Sequence, residues 1–419
     1  MKVVRATTVD RGLQAILTEM NKPGNSIDTQ SRNGPVRRIR GASTITWTRP
    51  MYRVSFDPIR NANPAFHLFE SLWMLAGHND VKRPEYFASQ MGQFSDDGVT
   101  FHGAYGHRWV KHFEMDQLRD YVIPSLIANK DDRRVVLGMW DAASDIDAAK
   151  NGGKDVPCNL ICVFDAAQQD GKLHIVVFNR SNDQVWGATG ANAVQFSMLQ
   201  EYVASAVGLN VGTYEQVSVN SHLYLELNEV SKKMLEAHTN DPNRELPYFG
   251  MLSPLRGKDE FDRSSQWQIV FDEDLNVLMN NYDNVLSETF NTRFFRQVVK
   301  PVIGAYNLYK KDRLEAALGV LTTNIAPLDW MSPWYRWHDW NIAMYEWIQR
   351  ICSRRNPKIS ELIAASEEEF IAGVKKIWHN STVDGDVIEE PWCGEVATIR
   401  PSRTIMPRGV INTEPRWKA

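Results

Sequence analysis

Residues 157–183, PCNLICVFDAAQQDGKLHIVVFNRSND, constrain the fold more than any other stretch. Two apolar or alternating runs, 163–166 and 173–178, are joined across Asp170-Gly171, a pair that suits a tight turn, so the segment predicts a β-hairpin. A hairpin returns its far end to its near end. Arg180, Ser181, Asn182 and Asp183 are therefore expected beside Cys158, which follows Pro157 and opens the first strand. A cysteine becomes a nucleophile when a cation or a helix terminus favours its thiolate, and Arg180 is such a cation. Taken singly, the cysteine reads equally well as a small buried hydrophobe, and an isolated arginine is more often a surface ion-pair partner.

The flanking pattern predicts an α+β fold with a mixed or mostly antiparallel sheet. A helix carrying Leu13, Ile16, Leu17 and Met20 runs into a loop, NKPGNSIDTQSRNGP, followed by strand-like runs ASTITWT and MYRVSF. The next helix is clearly punctuated: Asn63 as N-cap, Pro64 at the first helical position, Phe66, Phe69 and Trp73 along one face, and Gly77 just past the end. A helix is expected over 115–128, a buried strand at VVLGMW, a core-facing helix over 193–207 closed by Gly208, and a strand at YEQVSVNSHLYLE. Beyond about residue 245 the pattern predicts helices near 301–320, 340–352 and 360–378, with a tryptophan-rich patch, DWMSPWYRWHDW, between the first two. The organisation expected is a catalytic core over 1–245 and a partly helical C-terminal extension over 246–419, packed on that core.

Charge and cysteine usage narrow the function. With 43% hydrophobic residues among 419, the chain can bury a large core. A net charge of -4, a pI near 6.2 and no long lysine–arginine run argue against direct binding of nucleic acid or an anionic membrane, but not against holding a small anion. Cys158, Cys162, Cys352 and Cys393 form no CxxC pair, which argues against a zinc site or a disulfide framework, and no metal is expected. Residues 1–30 hold no apolar stretch of signal-peptide length and no run of about 18 apolar residues occurs, so a cytoplasmic protein is expected.

Several side chains stand out against this background. Glu70, among Phe66, Phe69, Trp73 and Met74, either caps something buried or relays protons, since a desolvated glutamate exchanges protons near neutrality. Arg133 and Arg134 at a strand start read equally as an anion clamp or a solvated turn. Asp183 precedes QVWGATGAN, a glycine-containing turn that enters a helix, and Asn192 is either the cap of that helix or an amide aimed into a pocket. His222 and Tyr224, two apart, project from one face of their strand, as a ligand wall or a satisfied core pair.

In this order along residues 30–245, SRNG, HLFESLWMLAG, GAYGHRW, DDRRVVLGMW, PCN, RSND and HLY resemble the thymidylate synthase family. The resemblance implies a three-layer α+β fold whose mixed sheet lies at a homodimer interface. It implies that Cys158 attacks C6 of a deoxypyrimidine monophosphate, activating C5 to take up the methylene carbon of the cofactor 5,10-methylenetetrahydrofolate. Glu70, Tyr105, Asn159 and Asp183 would serve the chemistry with it. Arg32, Arg180 and Ser181 would hold the phosphate, with Arg133 and Arg134 reaching in from the partner subunit, and His222 and Tyr224 would hold the ribose. Asn192 would read the base, favouring uracil over cytosine, although GATGAN carries one residue more than the family spacing. Asp183, Trp186 and Gly187 would meet the folate.

Three departures bear on the outcome of the reaction. Asn159 stands where the family has a histidine, ASQMGQFSDDG lacks the tryptophan the family carries there, and the chain continues past the family's short apolar closing tail to NTEPRWKA. Hydride transfer to the exocyclic methylene needs a closed, dry site, so these losses favour water. The product expected is 5-hydroxymethyl-dUMP, made by a phage-type member of the family in the host cytoplasm. Thymidylate synthesis is the second reading, dCMP hydroxymethylation the third, and a non-catalytic nucleotide-binding protein the reading from a different class.

Overall fold

The predicted hairpin is the centre of an eight-stranded mixed sheet. The computed structural model describes residues 1–226, 229–242, 253–256, 264–323 and 338–355. The strands are β1 (Lys2–Ala6), β2 (Ser26–Ser31), β3 (Gly34–Ile39), β4 (Ser43–Trp47), β5 (Val136–Gly138), β6 (Asn159–Asp165), β7 (Lys172–Asp183) and β8 (Asn210–Tyr224). They lie in the order β1-β4-β8-β7-β6-β5, with the β2–β3 hairpin joined to β8 through β3. The pairs β1–β4 and β7–β8 are parallel and the others antiparallel.

Before the helices past the sheet, three segments differ from the sequence expectation. The stretch read as a loop holds β2 and β3, whose polar outer strand shows little apolar alternation; Asp28 and Arg37 face each other in register and pair at 2.8 Å. The run MYRVSF, expected as a strand, is irregular instead. Its polar groups are taken up by the buried Asp10 carboxylate, which accepts from Ser55 Oγ at 2.6 Å and Phe56 N at 2.9 Å, in place of a ladder partner. Strand β7 continues through Arg180, Ser181, Asn182 and Asp183, so this cluster sits in the sheet rather than after it.

One face of the sheet is covered by helices α1 (Val9–Asn21) and α3 (Asn192–Val207), and α2 (Pro64–Leu75) packs on α3. All sixteen residues of α3 are buried, the condition of a helix enclosed on every side. Asn63 caps α2 by accepting from Phe66 N at 3.2 Å, with Pro64 at the first helical position as its sequence requires. On the other face of β7 and β8, Val176, Phe178, Val217 and Val219 alternate with buried residues, and Phe178 and Val219 remain 38% and 59% exposed. That apolar face has no helix over it among the described residues.

Residues past the sheet add helices α4 (Ser264–Asn281), α5 (Lys300–Lys310) and α6 (Asp339–Arg355). α4 lies on α3, where the Tyr202 hydroxyl donates to Asp272 at 2.9 Å and the Arg119 guanidinium pairs with the same carboxylate at 2.8 Å. α5 packs on α2 through Phe69, Phe87 and Tyr306, with Phe69 and Phe87 stacked at 4.3 Å. The expected helix over 301–320 is broken at Asp312, which has φ 57°, and resumes as Leu314–Thr323. The expected helix over 360–378 and most of the tryptophan-rich patch lie outside the described residues.

Candidate active site

Strand register delivers the polar cluster to the half-buried Cys158. Arg180 N donates to Cys158 O at 2.9 Å, and the Arg180 side chain turns back on the same segment, Nε to Pro157 O at 2.8 Å and Nη2 to Val156 O at 2.7 Å. Arg32, at the β2–β3 turn, grips that segment further back, Nη1 to Gly153 O at 2.7 Å and Nη2 to Lys154 O at 3.1 Å. Two guanidinium groups thus flank the backbone that leads to the thiol. Burial pushes the Cys158 thiol above its ordinary value; Arg180 and Arg32 pull it back, while Asp155 pushes the same way as burial.

Tyr105 is brought close because Gly106 lets its helix touch α2: a Cβ there would lie 2.1 Å from Met74 O. Burial, with the charges of Cys158 and Asp155, holds the phenol well above its usual range against the pull of the Asn159 and Cys158 backbone N–H groups, so it stays protonated beside Cys158. Glu70 is buried on α2 and accepts from Gln195 Nε2 at 2.8 Å. Burial pushes its carboxyl up to about 7, against the pull of that amide. Such a group takes and gives protons at neutral pH.

Asp183 ends β7 opposite His222 of β8. Its Oδ1 accepts from Trp186 N at 2.5 Å, while the buried Oδ2 has no hydrogen-bond partner among the described residues. Burial raises this carboxyl, opposed by the Trp186 N–H, His222 and Arg60. His222 and Tyr224 meet edge to face at 5.2 Å, and the Tyr224 hydroxyl accepts from Asn33 Nδ2 at 3.5 Å, next to Arg32. Ser181 pairs in register with Asn220 of the same strand, β8.

Asn192 does not cap its helix. A π-helical turn, Gln184–Ala191, runs directly into α3, and Gly190 departs from helical geometry at φ -114° and ψ -112°. A π turn is how a helix takes up one extra residue. Such a turn would take up the additional residue expected in GATGAN, and the Asn192 amide lies buried between two others: Asn159 Nδ2 donates to Asn192 Oδ1 at 3.4 Å, and Asn192 Nδ2 donates to Asn182 Oδ1 at 3.1 Å.

Arg133 and Arg134 are not brought to this site within one chain. They are exposed at the start of β5, where Val135 O meets Phe164 N, six residues along β6 from Cys158 and so about 20 Å away. Arg134 pairs instead with Asp132 at 2.8 Å.

The chain is 42% identical over 365 residues to the deoxyuridylate hydroxymethyltransferase of Pseudomonas phage M6, covering 84% of this chain and 94% of that protein. A family model described as thymidylate synthase matches residues 57–254. The chain belongs to the thymidylate synthase family. A deoxyuridylate hydroxymethyltransferase of Bacillus phage SP01 is 38% identical over 50% of this chain and 56% of its own length. A putative thymidylate synthase of Methanosarcina barkeri is 36% identical over 53% of this chain and 89% of its own length. The M6 likeness covers more of the chain than residues 1–254 contain, so it extends into the helices beyond the family match.

Thymidylate synthase family enzymes use 5,10-methylenetetrahydrofolate as cosubstrate, and this site fits such a group. The unpaired Asp183 Oδ2 is an acceptor for pterin N–H donors, and the Trp186 indole, 40% exposed, offers an aromatic face. Sequence reasoning missed Arg60, which lies in DPIRNANP and reads as part of a turn. Its buried guanidinium sits 4.4 Å from the Trp186 ring centroid, and its Nε donates to Val185 O at 3.0 Å inside the π turn. Gln195, the partner of Glu70, was also missed, although its place three residues after Asn192 puts both on one helix face.

Proposed function

We propose that the protein adds Cys158 to C6 of dUMP, transfers a one-carbon unit from 5,10-methylenetetrahydrofolate to C5, and releases 5-hydroxymethyl-dUMP. One observation carries this reading: the chain matches the phage M6 deoxyuridylate hydroxymethyltransferase along 94% of that protein; the closeness of Arg180 and Arg32 to the Cys158 segment supports it.

Arg32, Arg180 and Ser181 hold the phosphate, where guanidinium forks are strong ligands. His222 and Tyr224 hold the ribose, and Asn192 reads the uracil edge. The Cys158 thiolate attacks C6 and the ring electrons collect at C5 and O4, which Glu70 and Tyr105 serve by moving and holding protons. The folate, held by Asp183, Trp186 and Gly187, supplies the methylene carbon. Loss of the C5 proton and of the folate amine leaves an exocyclic methylene on the nucleotide. Water adds its oxygen there and gives up a proton, the electron pair returns through the ring, and the C6–S bond breaks to free the thiolate. The Ser89–Phe94 helix, where the family's tryptophan would stand, has no buried side chain, and Phe94 is 45% exposed, which supports addition of water over hydride transfer.

The working unit in this reading is a homodimer. A second copy covers the apolar face marked by Phe178 and Val219, and Arg133 and Arg134 enter the partner's phosphate site. Sedimentation of the purified protein tests the dimer.

The activity test is incubation with 5,10-methylenetetrahydrofolate and C5-tritiated dUMP. Tritium release without dihydrofolate is expected. Release with stoichiometric dihydrofolate would instead favour thymidylate synthesis and defeat the hydroxymethylation reading.

A further inference from the structure

Three buried asparagines form a hydrogen-bonded line of one polarity through the site. Asn159 Nδ2 donates to Asn192 Oδ1 at 3.4 Å, Asn192 Nδ2 to Asn182 Oδ1 at 3.1 Å, and Asn182 Nδ2 to Ser218 Oγ at 3.5 Å. Asn159, Asn182 and Asn192 are all less than a tenth exposed. The line is anchored in the sheet: Asn159 of β6 pairs with Asn179 of β7, which pairs with Ser218 of β8, so neighbouring positions across three strands carry its two ends.

We propose that Asn159 and Asn182 clamp the Asn192 carboxamide in one direction and thereby set which pyrimidine the site accepts. The proposal rests on the role given to Asn192 above. Uracil presents an N3–H donor and an O4 acceptor; cytosine presents an N3 acceptor and an N4 donor. An amide serves either edge, depending on which of its two ends meets N3. In the observed direction Asn192 keeps one lone pair on Oδ1 and one hydrogen on Nδ2 for the base. Rotating it by half a turn would set Oδ1 against Asn182 Oδ1 and Nδ2 against Asn159 Nδ2, replacing two attractive pairs with two repulsive ones.

Gly187 fixes the polarity of the far clamp. A Cβ on Gly187 would lie 2.4 Å from Asn182 Oδ1, so this oxygen occupies the space beside the glycine α-carbon. An NH2 group there would turn its hydrogens onto C–H hydrogens, whereas an oxygen makes a weak C–H···O contact. Only a residue without a side chain at 187 leaves room for the amide. Asn182 and Asn159 are positioning residues in this scheme, acting on the base through Asn192.

The test is equilibrium binding of dUMP and of dCMP to the full-length protein, without folate, in wild type, Asn182→Leu and Asn182→Asp. Wild type is expected to prefer dUMP. Asn182→Leu should narrow the ratio of the two dissociation constants by about 10- to 100-fold, the range of one or two lost buried hydrogen bonds. Asn182→Asp, which still accepts from Asn192 Nδ2, should keep the ratio. A merely structural role would weaken both nucleotides together and leave the ratio unmoved. Should Asn182→Leu not fold, Asn159→Ala removes the clamp from the opposite side with the same expected narrowing. A folded Leu or Ala variant with the wild-type ratio overturns the clamp while leaving the proposed function standing. A wild type that prefers dCMP or binds neither nucleotide overturns both.

Discussion

The two sides of the cleft around Cys158 are built on different kinds of support. On the side proposed to hold the nucleotide, Arg180, Ser181, His222 and Tyr224 come from β7 and β8, parallel neighbours whose register is fixed over many residues, and Arg32 comes from a hairpin paired to β8. On the side proposed to hold the folate, Trp186 sits in a π-helical turn, and Ser89–Phe94, where the family's tryptophan would stand, contributes no buried side chain. A ligand held by strand register is held in place; one held by a turn and an exposed helix is held more loosely. The contrast fits a reaction that binds its nucleotide as a thymidylate synthase does and then admits water.

Mutations on the two sides should therefore separate. The largest effect is expected from Cys158→Ala, which should lower tritium release from C5-tritiated dUMP by at least ~10^4-fold while dUMP still binds. Persistent release would rule out the covalent route. Glu70→Gln should lower kcat by about 10^2- to 10^4-fold and remove the inflection near pH 7 that its raised carboxyl places in the kcat profile. Arg180→Ala should weaken dUMP binding by about 10- to 100-fold, the loss of a charge-assisted contact, and leave the folate KM nearly unchanged. Equal losses for both ligands would erase the distinction between the sides.

The same contrast decides what was legible in the sequence. The hairpin was legible because strand periodicity and a turn pair carry register, and register alone brought Arg180 back to Cys158. The β2–β3 hairpin was not, since a polar strand such as SIDTQS shows no apolar alternation and Arg32 then reads as a loop residue. Arg60 was hidden because its neighbours over 183–190 lie far off in sequence, and only the folded π turn reveals a buried guanidinium under Trp186. The hydrogen bonds of the Asn192 amide to Asn159 and Asn182 were not legible, because those two residues come from strands whose exact pairing decides the contact. Arg133 and Arg134 remain remote within one chain, and a single chain's pattern carries no direct sign of what a partner would supply.

On the folate side, Trp186→Ala should raise the folate KM by about 2- to 10-fold, the worth of one aromatic contact, with dUMP affinity unchanged. Arg60→Met should act in the same direction through Trp186, because the guanidinium under the indole holds its plane. A change in dUMP affinity of equal size would show that the π turn supports both ligands and that the two sides are one.

The smallest effect concerns the scaffold behind the folate side, which holds carboxyls that resist ionisation. Asp339 at the start of α6 is buried, hydrogen-bonded by Ser253 and by Trp340 N at 2.9 Å, and burial pushes it up to about 7; Asp10, which organises 51–56, is pushed by burial up to about 6. Unfolded, both would titrate near 4. Between that value and the native one, the native state holds more protons than the unfolded state, so stability is greatest at low pH and falls as pH rises through this window. Each group contributes a slope of about 1.4 kcal/mol per pH unit where it is protonated only in the native state. Asp339→Asn keeps the shape without the charge, so its urea midpoint should fall less than that of wild type between pH 5 and pH 8, in steps of about 0.5 pH unit. Parallel curves for the two proteins would mean that Asp339 is as easily ionised in the native state as in the unfolded chain, and that the scaffold behind the folate side is no more sensitive to pH than the sheet.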